Sequence, residues 1–196
     1  IDIPSGLMGE DNSENIQENI IHANYTLTFQ FPKLAFLFPE NNTFVGKWEI
    51  LDIGLSSEAI EKTDTNFFFI DNRLIKQHIK QKEKFSHKGT FGHALLIGGS
   101  YGKMGAAILA SRACLRSGVG LLTVHVPRCG YEIMQISVPE AMVSIDQSQE
   151  CFSQVIDISA YTNLGIGVGL GKSKESVEAL KGILKNIKSP SVFDAD

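Results

Sequence analysis

Residues 85–107 read FSHKGTFGHALLIGGSYGKMGAA, and the reading of this stretch decides the fold. A basic approach leads into a short apolar strand, Ala94 to Ile97, then a glycine-rich turn, then small residues that open a helix. In a parallel sheet covered by helices, such a strand-to-helix turn lies where ligands bind, because the strand's carboxyl end and the helix's amino end meet there.

Downstream the alternation continues. Met104 to Ser117 reads as a helix of Ala, Leu and Arg, ended by Gly118 and Gly120. Leu121 to Val126 is the next strand, closed by Pro127; Tyr131 to Ile136 is a short helix, and Cys151 to Tyr161 a further helical stretch. Leu164 to Val168 forms a third strand, running into the glycine turn GVGLG at 167–171. Val177, Leu180, Ile183, Leu184 and Ile187 recur at helical spacing across Lys174 to Ile187, and Ser191 to Phe193 is a fourth strand that ends in DAD, 194–196. Strands alternating with helices imply an α/β protein with a parallel, doubly wound sheet.

Upstream the character changes. Residues 56–84 hold the polar SSEAIEKTDTN, the apolar FFFI (Phe67 to Ile70) and a basic segment with Leu74, Ile75 and Ile79, which fits a short amphipathic helix with Asp71 as N-cap. Interleaved Gln and Glu make that basic run a solvated helix face rather than a nucleic-acid patch. Before it, YTLTFQF (25–31), KLAFLF (33–38) and KWEILDIGL (47–55) carry strand signals, with Trp48 as a core or sheet-face residue, and GEDNSENIQEN (9–19) reads as a surface loop or helix start. The chain opens on IDIPSGL, a strand end followed by a turn, and this start suggests a piece of something longer. Asp2 and Ser5 either point their oxygens into one pocket or serve only neighbouring backbone amides.

Composition narrows the function classes. Hydrophobic residues make up 43% and charged residues 20% of 196, so a packed core is expected. A net charge of -4 supplies no basic field for a phosphate backbone, so no nucleic-acid partner is expected. The three cysteines lack ligand spacing, and Cys114 in its helix reads as a buried, inert thiol. This points to a reducing, hence cytoplasmic, compartment. No apolar run reaches the ~20 residues of a membrane span, so no membrane role is expected.

Three strand ends, GGS (98–100), GVGLG (167–171) and DAD (194–196), fall on one edge of the expected sheet. Glycine lets a ligand approach the backbone, and helix-start amides face anionic groups, although such turns also serve purely as tight connections. GGSYGKMG has neither the G-x-G-x-x-G register nor a Walker A closure. His87 and Lys88 contact phosphate, act in proton transfer, or only cap the approach to the first strand; Asp194 and Asp196 are candidates for a ribose, a metal-bound water or a substrate hydroxyl. His22, His78, His93 and His125 show no metal spacing and read as surface or core residues.

HKGTFGHALLIGGSYGKMGAA, RSGVGLLTV, GVGLG and DAD closely resemble the ADP-dependent NAD(P)H-hydrate dehydratase domain; IDIPSGL, TLTFQFPK and LDIGL resemble the end of the NAD(P)H-hydrate epimerase domain often fused before it. The resemblance implies the N-terminal half of a ribokinase-like doubly wound α/β sheet, preceded by the C-terminal end of a Rossmann-like epimerase domain. The expected parts are 1–55 (epimerase-like), 56–84 (linker and short helix) and 85–196 (dehydratase-like).

The activity implied is repair of hydrated NADH or NADPH. An epimerase exchanges the R and S forms, and a dehydratase uses a nucleotide phosphoryl group to turn the S-form hydroxyl into a leaving group. By motif, Asp2 matches the epimerase acid contacting the hydrated nicotinamide, acting by electrostatics or proton transfer, and Ser5 matches a potassium ligand. Ala106 and Gly169 match substrate-contacting positions of the dehydratase. The resemblance further implies ADP or ATP as co-substrate and a homo-oligomer. The family's later motifs, including GTGD with its catalytic Asp, are not in this sequence, and Val168 stands where proline is usual. Two other readings stay open: a ribokinase-like sugar or vitamin kinase, which would not carry IDIPSGL ahead of the sheet, and a scaffold or binding module without turnover.

Overall fold

The structure is a computed structural model that describes residues 2–79 and 83–194. The chain divides into two compact units, Ile1–Lys80 and Gln81–Asp196, so the division falls inside the 56–84 stretch.

In the first unit, β1 (Tyr25–Phe29) and β2 (Lys47–Leu51) pair in parallel, Tyr25 opposite Lys47 and Phe29 opposite Leu51. β1 alternates strictly, burying Thr26 and Thr28. Parallel neighbours need a crossover of a dozen or so residues rather than a hairpin. That requirement corrects the expected strand at Lys33–Phe38: the segment is the 3-10 helix Leu34–Leu37, followed by Pro39–Asn41 and α1 (Asn42–Val45). Ala35 and Phe36, adjacent in sequence, are both buried with Leu7, Ile20, Phe44 and Val45, a pattern no half-buried strand allows, and Trp48 packs against them. The Asn41 amide fastens the crossover by donating to the Ala35 carbonyl at 2.9 Å. Two short helices follow, α2 (Ser57–Lys62) and α3 (Asn72–His78). Asp71 caps α3 as expected, accepting from the Leu74 amide at 2.8 Å. Residues 80–82, the expected continuation of that helix, lie outside the described residues, and Phe67 to Ile70 are exposed.

The second unit is a five-stranded parallel sheet in the order β5-β4-β3-β6-β7: β3 (His93–Ile97), β4 (Leu121–Val126), β5 (Met142–Ile145), β6 (Asn163–Ile166) and β7 (Ser191–Phe193). The connecting helices are α4 (Met104–Arg116), α5 (Tyr131–Ser137) and α6 (Lys174–Leu184). Both faces are covered, as the apolar run of β3 demands. Leu96 packs with Met104 and Ala107 of α4, with Leu122, Val124 and Val126 of β4, and with Met134 of α5. Leu95 and Ile97 point the other way, onto Leu164, Ile166, Phe152, Ala179 and Ile183. Burying a side chain such as Ile183 stabilises the fold by about 1.5–3 kcal/mol.

Two local readings need correction. β5 lies in a segment read as no element, a short edge strand between Pro139 and Asp146. Cys151 to Tyr161 is not a helix. Its polar groups bond elsewhere: Ser153 binds Asp146, and the Asp157 carboxylate accepts from the Ser159 amide at 2.9 Å, a local turn that competes with helix. Phe152 and Ile158 still enter the core from this irregular path.

Candidate functional site

The strand order fixes where a ligand can sit. From β3 the chain moves outward through β4 and β5, then returns to place β6 on the other side of β3. The turns leaving β3 and β6 therefore diverge from the point where the winding reverses, which is where open α/β sheets bind ligands.

Those turns are Gly98–Ser100 and Gly167–Gly171, and the structure brings them together. The Gly99 amide donates to the Val168 carbonyl at 2.8 Å, and the Ser100 hydroxyl donates to the Gly169 carbonyl at 2.8 Å. Gly169 has φ +67°, and a Cβ there would lie 2.9 Å from the Lys103 carbonyl oxygen and 3.0 Å from the Ala106 Cβ. Ala106 and Gly169, singled out separately in the sequence, thus face one another across a seam that has no room for a methyl group. The third strand end joins them: Asp194 donates its amide to the Ile166 carbonyl at 2.8 Å, and a Cβ on Gly167 would lie 2.5 Å from the Asp194 carbonyl oxygen. Asp194 is exposed; Asp196 lies outside the described residues.

His87 and Lys88 do not belong to this edge. They precede β3, and the 3-10 helix Lys88–Phe91 packs against Gly120 ahead of β4, at the amino ends of the strands. His87 Nδ1 accepts from the Gly89 amide at 3.1 Å, which is the capping arrangement.

A buried group on the crevice side was missed in the sequence. His125, at the carboxyl end of β4, and Asp146, just past β5, are each 1% exposed and meet at 3.0 Å, Nε2 to Oδ2. Asp146 also accepts from the Ser148 amide at 2.8 Å, the Ser153 amide at 2.9 Å and the Ser153 hydroxyl. Burial pushes the Asp146 carboxyl up, but the Ser153, Ser148 and His125 hydrogen bonds outweigh it and hold the group below its ordinary value. Burial pushes His125 down, only partly opposed by Asp146, so the ring is neutral at neutral pH. A neutral ring beside a carboxylate carries its proton on Nε2, leaving Nδ1 to accept from the Ser144 hydroxyl at 2.9 Å. The segment 146–153 that this pair anchors receives three amides on its carbonyls: Arg128 on Ser148, Cys129 on Gln149, and Tyr101 of the glycine turn on Glu150. No local signal links His125 to Asp146, which lie 21 residues apart, because their meeting depends on the pairing of β4 with β5.

In the first unit, Asp2 is ordered by three donors: the Phe29 amide at 2.8 Å, the Thr28 hydroxyl at 2.8 Å and the Lys33 ammonium at 3.1 Å. The Phe29 amide is the largest influence on its carboxyl; burial, the next largest, opposes it, and the Thr28 and Lys33 contacts add to the amide so that the group stays below its ordinary value. Ser5 is exposed; its carbonyl accepts from the Ile21 amide at 3.0 Å, and its hydroxyl bonds to nothing among the described residues. The structure does not join Asp2 and Ser5 through a hydrogen bond.

Among the described residues, no group of three or more His, Cys, Asp or Glu is placed to hold a metal ion, and no helix is long and apolar enough to cross a membrane. The three cysteines are free, and burial pushes the Cys114 thiol up, away from a reactive thiolate.

Comparison with known proteins agrees with this geometry. A sequence model of the NAD(P)H-hydrate dehydratase family matches residues 94–196, from β3 onward. The bifunctional NAD(P)H-hydrate repair enzyme of Moorella thermoacetica is 31% identical over 100% of this chain, which spans 38% of that protein's length. The ADP/ATP-dependent NAD(P)H-hydrate dehydratase of Bacillus subtilis, co-crystallised with ATP and Mg2+, superposes with a TM-score of 0.56 at 27% identity, covering 67% of this chain and 47% of that one. A ribokinase-like superfamily protein of Enterococcus faecalis gives 0.54 at 26% identity, covering 66% and 47%. The fold is ribokinase-like, and the chain belongs to the NAD(P)H-hydrate dehydratase family.

Proposed function

We propose that this chain is the central part of a bifunctional enzyme that repairs hydrated NADH and NADPH, exchanging the R and S epimers and dehydrating the S form with ADP or ATP. The observation that carries the dehydratase half is the seam at the winding reversal, where Ala106 meets Gly169 in the family-matched unit. The epimerase half is supported by the M. thermoacetica enzyme, whose similarity runs through the first unit as well.

In this reading the seam forms one wall of the dehydratase crevice. Residues without bulk at 106 and 169 let the glycine turn and the helix start close on one another, and the ribose and dihydropyridine of the substrate lie against the wall they form. The S-form hydroxyl takes the terminal phosphoryl of the nucleotide, phosphate leaves with the C–O bond pair, the ring nitrogen's electrons fill the deficit, and loss of a ring proton restores the double bond. This chain's residues position the substrate for those steps. The GTGD motif of the family is not in its sequence.

Asp2 contacts the hydrated nicotinamide in the epimerase. Ser5 offers one free hydroxyl oxygen, a hard donor suited to potassium; a hard cation takes several oxygens, and the described residues around Ser5 supply no acidic cluster to complete the set. Homo-oligomeric assembly and a cytoplasmic location complete the proposal.

The full-length protein carrying Asp2→Ala tests the division of labour. Epimer exchange should slow while ADP-dependent recovery of dihydronicotinamide absorbance from pure S form stays intact. Equal loss of both activities would make Asp2 a structural residue. Phosphorylation of a sugar or vitamin alcohol, without repair of hydrated NADH, would favour the kinase reading.

A further inference from the structure

Thr28, Phe29 and Lys33 all converge on one oxygen of Asp2, Oδ1, at 2.8, 2.8 and 3.1 Å. The other oxygen, Oδ2, engages no partner among the described residues, and the side chain is 37% exposed. A carboxylate accepts through about four lone-pair directions; the inner oxygen is crowded with donors and the outer one is open.

The backbone is bent to produce this arrangement. Gln30, which follows Phe29, has φ 59°, a positive value found at no other described residue except glycines. The Phe31 amide folds back onto the Phe29 carbonyl at 2.6 Å, and the reversal returns Lys33 to the end of β1, where its ammonium also reaches the Phe29 carbonyl at 3.3 Å. Such a conformation persists where its surroundings over-determine it. Here the Gln30 amide donates to the Leu51 carbonyl at 2.8 Å, and its side-chain oxygen accepts from the Ile53 amide at 3.0 Å. Thr28 is wholly buried and paired opposite Ile50, so its hydroxyl has no solvent to turn to.

Resting on the reading of Asp2 as the group that contacts the hydrated nicotinamide, we propose that Thr28 and Lys33 are positioning residues that lock Asp2 by its inner oxygen and present the outer oxygen to the substrate as a hydrogen-bond acceptor. The clamp decides between the two roles open to that carboxylate. Three donors on Oδ1 favour the ionised form, so at neutral pH Asp2 has no proton to give. It acts as an acceptor and an electrostatic partner for positive charge developing on the ring, and any proton donor in epimer exchange is another group.

The test uses the full-length protein, with ADP-dependent dehydration of the S form as an internal check on folding. Two readouts are taken for Thr28→Val, Thr28→Ser, Lys33→Met, Lys33→Arg and Asp2→Asn: the kcat and KM of R-to-S exchange of hydrated NADH, and the carboxyl titration of Asp2 followed by carbon-13 NMR. Thr28→Val should lower kcat roughly tenfold or more, the range of a hydrogen bond to a charged group, and Lys33→Met roughly two- to fivefold, the range of an exposed ion pair. Both should move the Asp2 titration up toward 3.8. Thr28→Ser and Lys33→Arg should restore kcat and titration. If Asp2→Asn abolishes exchange while Thr28→Val and Lys33→Met leave kcat and titration unchanged, the clamp is refuted. If Asp2→Asn itself leaves exchange intact, the reading of Asp2 fails, and the titration shift then reports only the electrostatics of a structural turn.

Discussion

Truncating Asp146 to alanine should loosen one rim of the crevice without unfolding the sheet. Oδ1 accepts the Ser148 amide and the Ser153 hydroxyl, and Oδ2 accepts the Ser153 amide and His125 Nε2. Alanine leaves four donors without an acceptor in a site that is 1% exposed. Their combined loss costs at least about 3 kcal/mol, since each buried donor left unsatisfied carries its own desolvation penalty. Asp146→Asn keeps one oxygen, and His125 can follow by moving its proton to Nδ1, but the new amide group still opposes the Ser153 N–H; a single unsatisfied donor costs about 1–3 kcal/mol. The cost falls on the segment 146–153, whose carbonyls hold the Tyr101, Arg128 and Cys129 amides. Hydrogen–deuterium exchange of the full-length protein reads those amides directly, because opening of this segment exposes them. At a factor of ten per ~1.4 kcal/mol, alanine should speed their exchange about a hundredfold or more and asparagine about tenfold, with β3 amides unchanged. Unaltered exchange at Tyr101, Arg128 and Cys129 in Asp146→Ala would refute the anchoring role.

Acid should act on the same pair with a defined sign. His125 is shifted below its ordinary 6.5, so below that value the unfolded state binds the proton more readily than the folded one, and stability falls as pH drops. Asp146 is shifted below 3.8, so its contribution is present above 3.8 and is lost as pH falls through the folded value. The protection of the three amides should therefore decline from about pH 6.5 downward, and His125→Gln should flatten the first part of that decline. Gly169→Ala must place a methyl group at φ +67° against the Lys103 carbonyl and Ala106, at a cost of about 1–3 kcal/mol; S-form dehydration should drop at least tenfold while epimer exchange stays unchanged, and an unimpaired dehydratase would remove the seam from the site. Phe152→Ala, which empties a wholly buried position under Leu95 and Ile97, should cost about 3–5 kcal/mol and lower the unfolding midpoint of the second unit in urea. The 196-residue chain by itself should show no dehydration of hydrated NADH with ADP, since its sequence lacks GTGD; recovery of dihydronicotinamide absorbance at an enzymatic rate would overturn that expectation.

What the sequence made legible is what local pattern encodes. The run Ala94–Ile97 and the glycine turn after it could be read without neighbours, because an apolar run followed by glycines and a small-residue helix has few other solutions. Ala106 and Gly169 were found through motif resemblance, but their meeting follows from the return of the chain from β5 to β6, which no single stretch specifies. KLAFLF misled because a short apolar run has the same composition in a strand and in a crossover turn; the parallel pairing of β1 with β2 decides it. Cys151–Tyr161 misled for a related reason: its serines and Asp157 spend their hydrogen bonds on Asp146 and on local turns, and that competition is visible only once Asp146 is in place.

Two carboxylates shifted in the same direction show why a lowered pKa does not by itself mark a site. Asp146 and Asp2 both titrate below their ordinary value, and both owe it to donated hydrogen bonds. Asp146 has each oxygen engaged twice and no exposure, so every lone pair is committed inside the protein and nothing remains for a ligand. Asp2 receives all its donors on one oxygen and leaves the other facing outward from a partly exposed side chain. A fixed charge with an open acceptor can bind and stabilise; a fixed charge without one can only hold structure. The distribution of donors between the two oxygens, rather than the size of the shift, separates a carboxylate that keeps an open acceptor from one that braces a loop.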